Sequence, residues 1–83
     1  MERDGILIFH SIHRVMKAEK ALKQAGLDVR LVPVPRQLSS DCGLSIAFRL
    51  DQRDAVEAEL RAVGCPWEEL HASDGRGGYR RTP

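Results

Sequence analysis

The run Ile6-Leu7-Ile8-Phe9 is the longest unbroken apolar stretch in a chain of 83 residues, and it restricts the fold more than any other feature. Four apolar side chains in a row, with no polar residue alternating between them, suit a strand buried at the centre of a sheet. The run is far short of the roughly 18 residues that a membrane span needs. A sheet built around this strand is the starting point for everything that follows it in the chain.

The remaining periodicities supply its neighbours. Ser11 stands where an N-cap belongs. Val15, Ala18, Leu22 and Ala25 then recur at helical spacing, while Lys17, Glu19, Lys20 and Lys23 take the other positions and Gly26 ends the pattern. Val29 and Leu31 alternate with Arg30 and Val32, and Pro33 and Pro35 restrict further ladder bonding, which predicts an edge strand. The cleanest alternation sets Leu44, Ile46, Phe48 and Leu50 against Ser45, Ala47 and Arg49, a third strand with one face on the core. Asp51 is expected to cap a second helix with the stripe Val56, Leu60 and Val63 and an outer Glu57/Arg61 pair at i,i+4. Gly64 and Pro66 stop it. Residues 67–72 read as a short fourth strand. Residues 73–83 are Gly- and Arg-rich without periodicity, and a flexible C-terminal tail is expected there, after a single domain of residues 1–72.

The order β-α-β-β-α-β predicts an α+β, ferredoxin-like two-layer sandwich: a four-stranded antiparallel sheet with both helices on one face. In that plan the end of the first strand, the start of the first helix, the connection between strands two and three and the approach to strand four share one end of the sheet. His10, Ser11, His13, Arg36, Ser39, Ser40, Asp41, Cys42, Cys65 and Trp67 are expected to gather there.

The connection Val32 to Ile46, "VPVPRQLSSDCGLSI", is longer than a hairpin requires. Such links take about two to five residues, and this one spends roughly ten. Cys42 lies within it beside Ser39, Ser40 and Gly43, whose hydroxyls and open backbone N–H groups suit a thiolate; Arg36 or a helix N-terminus would lower the thiol pKa further. Equally, Cys42 reads as a small buried hydrophobe opening the third strand. Gly43 permits positive φ at a turn and also leaves a neighbouring sulfur accessible. His10 and His13 titrate near neutrality and could act as acid/base groups or, with Cys42 and Cys65, as metal ligands, although the usual zinc spacings are missing. An exposed polar His13, a structural Cys65 and a core-covering Trp67 are the plainer readings.

Composition excludes several function classes. Lys and Arg number 13 against 12 Asp and Glu, so no global field attracts nucleic acid or an acidic membrane. Arg76, Arg80 and Arg81 around Tyr79 are weak grounds for RNA contact, since the strands lack paired aromatics on an open face. Nucleic acid and membrane are therefore discounted. Met1-Glu2-Arg3-Asp4 does not resemble a signal peptide, and two cysteines without CxxC spacing form no disulfide framework, so a reducing, cytoplasmic setting is expected. A phosphate loop, a Ser-His-Asp arrangement and a paired-carboxylate cleft are all missing from the pattern.

Residues 9–48, with Pro35-Arg36 and then Ser39-Ser40-Asp41-Cys42-Gly43 as the most specific part, resemble a family of small bacterial proteins described as selenium/sulfur carrier protein-like. The resemblance implies that Cys42 carries sulfur or selenium as a persulfide or selenosulfide, passed from a donor enzyme to an acceptor enzyme. Arg36, Ser39 and Ser40 would hold the anion, and Gly43 would keep it reachable. Such a chain is a carrier more than a turnover enzyme, and neither cofactor nor resident metal is expected. Two other readings stand beside it: an interaction or homodimerisation module in which Cys42 is structural, and a small metal-binding module.

Overall fold

The computed structural model describes residues 3–38 and 43–82. Two helices and five strands follow one another as β1 (Gly5–Ile8), α1 (Ile12–Gln24), β2 (Val29–Pro33), β3 (Leu44–Phe48), α2 (Arg53–Ala62), β4 (Glu69–Ser73) and β5 (Tyr79–Thr82), with a 3-10 turn at Leu50–Gln52 before α2. All strand pairs are antiparallel. Their order across the sheet is β2-β3-β1-β4-β5. The apolar run thus takes the centre, and the proline-bearing β2 takes an edge where the missing N–H costs no ladder bond.

Cross-strand register sorts the side chains by face. Leu7 stands opposite Ile46 and Leu70, and Phe48 opposite Val29. These side chains pack with Val15, Ala18 and Leu22 of α1 and Val56 and Leu60 of α2 in the main core. Fully burying side chains of this size contributes about 1.5–3 kcal/mol each, so this layer anchors both helices. Ser11 caps α1 as expected, its Oγ accepting from Arg14 N at 3.4 Å. Ala25, expected on the buried stripe, is the exposed C-cap, and Ala21 is buried in its place.

Three expectations are corrected. The sheet has five strands rather than four. The fifth comes from residues the sequence assigns to the tail, where no apolar alternation announces it; it is registered by the Asp74 turn, whose Oδ1 accepts from Arg76 N at 2.7 Å and Gly78 N at 3.0 Å. Asp51 does not cap α2. Its carboxylate instead takes two bonds from Arg49, and no side chain caps that helix. Finally, β3 does not keep one solvated face: Ser45 and Ala47 are buried as well as Ile46 and Phe48.

That second face is covered by chain. Ile6, Ile8 and Ala47 form a separate cluster, with Val32, Val34, Leu38 and Tyr79 packed against it. The polar–apolar alternation of β3 is therefore covered on both sides, by helices on one and by the β2–β3 connection and Tyr79 on the other.

Gly5 permits a close approach that an alanine would block, because a Cβ there would lie 2.5 Å from the Phe48 ring. Gly5→Ala is expected to lower stability by about 1–3 kcal/mol through overpacking, read from urea denaturation. Adding Phe48→Leu to Gly5→Ala should recover part of that loss relative to the sum of the single changes.

Candidate functional site

The β2–β3 connection, residues 34–43, closes at a neck where Val34 N donates to Gly43 O at 3.1 Å, one step beyond the Pro33/Leu44 pair. Ser39, Ser40, Asp41 and Cys42 lie outside the described residues. Gly43 is exposed, with φ +72°, and a Cβ built on it meets nothing within 4 Å among the described residues. Its backbone conformation, not a lack of room, accounts for the glycine. On the other limb, Leu38 N donates to Pro35 O at 2.9 Å and closes a turn. Arg36 is exposed within this turn, and the adjacent Gln37 Nε2 donates to Gly77 O. The limb thereby ties itself to the β4–β5 turn while Leu38 covers the second face.

At the same end of the sheet as the neck, the first turn of α1 meets the approach to β4. Glu68 N donates to Ile8 O at 2.8 Å, which sets the Glu68 carboxylate between His10 Nδ1 and Arg14 Nη1, each 3.9 Å away. All three side chains are substantially exposed, so the pairs contribute at most about 1 kcal/mol, less at physiological salt. Their effect is on placement. His13 is exposed on α1, and Trp67 packs against the core with the Arg61 guanidinium 5.3 Å from its ring. Of the residues expected to gather, His10, Ser11 and Cys65 meet here, through Glu68, Arg14 N and Arg14 O respectively; Arg14 and Glu68 were not among those expected, and Arg36 sits beside Gln37, which is bonded to the β4–β5 turn.

Cys65 has a different environment from the one a reactive thiol needs. Gly64, at φ +68°, ends α2; its N–H reaches Arg61 O, and Cys65 N reaches Leu60 O at 2.9 Å, the two bonds of a Schellman motif. That motif turns Cys65 inward to 2 % exposure. Its Sγ donates to Arg14 O at 3.3 Å. The second cysteine is a packing residue that joins the end of α2 to the start of α1. Among the described residues, no three His, Cys, Asp or Glu side chains converge as metal ligands.

Sequence reasoning missed one polar pair. His71 is buried on the second face, with Nε2 2.7 Å from Glu69 Oε1 and Nδ1 without a hydrogen-bond partner among the described residues. The hydrogen bond to His71, helped by the charge of Arg81, holds the Glu69 carboxyl below the usual range. Its signal was present in the sequence as acid and imidazole two residues apart in a strand, hence on one face. A cleft of about 290 Å³ lined by Arg3, Asp4, Ser73, Gly75, Gly77 and Tyr79 lies at the opposite end of the sheet from the neck.

A sequence model of the family described as "Putative Se/S carrier protein-like" matches residues 4–72. The chain belongs to that family. The match runs through α2 and into β4, well past the segment whose residues suggested it. An uncharacterized protein of Escherichia coli (strain K12), YtiA, is 39% identical over 44 residues, covering 53% of this chain and 52% of its own length. The chain thus spans about half the length of that relative. No solved structure matches it. Among the described residues, no helix is long and apolar enough to cross a membrane.

Cys65 should resist iodoacetamide in the folded protein at neutral pH and react once urea unfolds it, as peptide mass mapping would report. Cys65→Ala is expected to cost about 0.5–3 kcal/mol. The depressed Glu69 carboxyl has a pH signature with a defined sign: its stabilisation is present above the unfolded value and lost as pH falls through the lower folded value. Urea midpoints measured down an acid series should therefore decline less steeply for Glu69→Gln than for the wild type.

Proposed function

We propose that this chain is a sulfur or selenium carrier whose cargo is a persulfide or selenosulfide on Cys42. The observation that carries the reading is the family match over residues 4–72. The neck at Val34 and Gly43 supports it, because a connection pinned at its base can present a residue without disturbing the sheet. Cys65, buried and bonded to Arg14 O, is a poor competitor for the role.

In the proposed transfer, the Cys42 thiolate attacks the outer sulfur of a donor enzyme's cysteine persulfide. The donor S–S bond breaks, a new S–S bond forms on Cys42, and the donor cysteine leaves as a thiolate; the outer sulfur keeps its proton through the transfer and then loses it to solvent, which leaves the persulfide on Cys42 anionic. No oxidant or reductant is consumed. The acceptor enzyme repeats the exchange with its own thiolate. Arg36 and the Ser39 and Ser40 hydroxyls are assigned to the anionic persulfide, and Gly43 to access. A carrier of this kind works stoichiometrically between two enzymes and needs the reducing cytoplasm to keep its thiol free. We also read β4-β1-β3-β2 with its two helices as a ferredoxin-like unit, to which β5 is an added edge.

The test is intact mass after incubation with a cysteine desulfurase and L-cysteine. Wild type should gain the mass of one sulfur, reversible by dithiothreitol, and Cys42→Ala should gain none. No gain on wild type, or an equal gain on Cys42→Ala, rejects the proposal. The alkylation rate of Cys42 should also rise with a midpoint below about pH 8.5, the value of an ordinary thiol.

A further inference from the structure

Helix α1 turns Val15, Ala18, Ala21 and Leu22 into the core, and its opposite side is unusual. Ile12 and Met16 are the exposed large hydrophobic residues among those described, at 43 % and 46 %. They are four residues apart and so adjoin on one face, with Lys20 continuing the same row and Lys23 beside it. His13 and Lys17 flank the row. Lys23 is matched by Glu19 at 3.0 Å, whereas Lys17 and Lys20 have no ion-pair partner among the described residues. The whole chain carries a formal charge of only +1, so this basic face is a local feature.

We propose that this face docks the partner enzyme of the sulfur exchange, fitting an apolar socket for Ile12 and Met16 rimmed by carboxylates for Lys17 and Lys20. The proposal rests on the carrier reading. Charge complementarity identifies the occupant: unmatched lysines steer and orient an acidic surface, and the apolar pair supplies the desolvated centre that such a contact needs. A second copy of the chain would set lysine against lysine. A nucleic-acid backbone would satisfy the lysines and leave the apolar pair in water. A lipid surface would call for a wide apolar stripe, but the stripe of α1 is already buried against the sheet. The position also fits. Ile12 follows the end of β1, at the end of the sheet where Val34 and Gly43 close the neck of the connection that contains Cys42; residues 34–38 lie against the other face of the sheet, so a partner seated on α1 reaches that connection around its neck.

The test compares two ways of loading sulfur, with full-length wild type, Lys17→Glu/Lys20→Glu and Met16→Asp. Inorganic polysulfide needs no docking, while a cysteine desulfurase with L-cysteine does. Loading from the enzyme should fall about tenfold or more in both variants, and for wild type it should slow as salt rises from about 0.05 to about 0.5 M. Loading from polysulfide should stay within about twofold of wild type throughout, since the substitutions are remote from the thiol chemistry. Enzyme loading that is equal in all three chains overturns the docking face and leaves the carrier reading standing; a wild type that the enzyme does not load, whether or not polysulfide does, overturns both. Wild type that sediments with phosphatidylglycerol vesicles, or dimerises in analytical ultracentrifugation, with either property lost in the variants, reassigns the face and overturns the proposal.

Discussion

β1 is buried on both sides, and this condition organises the rest of the molecule. Ile6, Leu7, Ile8 and Phe9 are each 4 % exposed or less, so apolar chain must cover both faces of a sheet in a small domain. Two helices cover the Leu7 and Phe9 side. The Ile6 and Ile8 side is covered, among the described residues, by the β2–β3 connection and Tyr79 instead of a helix. The unusual length of that connection therefore has a structural cause in residues 34–38, apart from any role of the residues that follow.

The same requirement fixes the character of Cys65. Cys65 follows a positive-φ glycine at the end of a helix, in the position that a Schellman motif fills with an apolar side chain, and its thiol is spent on the Arg14 carbonyl. Cys42 belongs to the connection, one residue before a glycine whose carbonyl closes the neck. The β4–β5 turn participates in this arrangement through Gln37 and Gly77. Asp74 organises that turn through backbone N–H bonds, which hold its carboxyl below the usual range.

Much of the fold was legible because burial imposes periodicity. The helix of residues 12–24, its Ser11 cap, the edge position of the proline strand and the central position of the apolar run all follow from local pattern. The fifth strand was not legible: Tyr-Arg-Arg-Thr has no apolar alternation, and its pairing depends on a turn made by one aspartate. The Asp51 cap failed because Arg49, two residues away, competes for the same carboxylate with two bonds. The Glu69/His71 pair was visible as an ordinary i,i+2 pair, and only the folded chain buries its imidazole.

By itself the sequence determined the two helices, the first four strands and which connection is too long, because these depend on side chains a few positions apart. It also contained the family membership. Tertiary structure decided that Cys65 is buried, that β3 is covered on both faces, and that His10, Arg14 and Glu68 meet at one end of the sheet. Those outcomes join residues up to 58 positions apart, as between His10 and Glu68, and only the closing of the sheet around β1 brings them together.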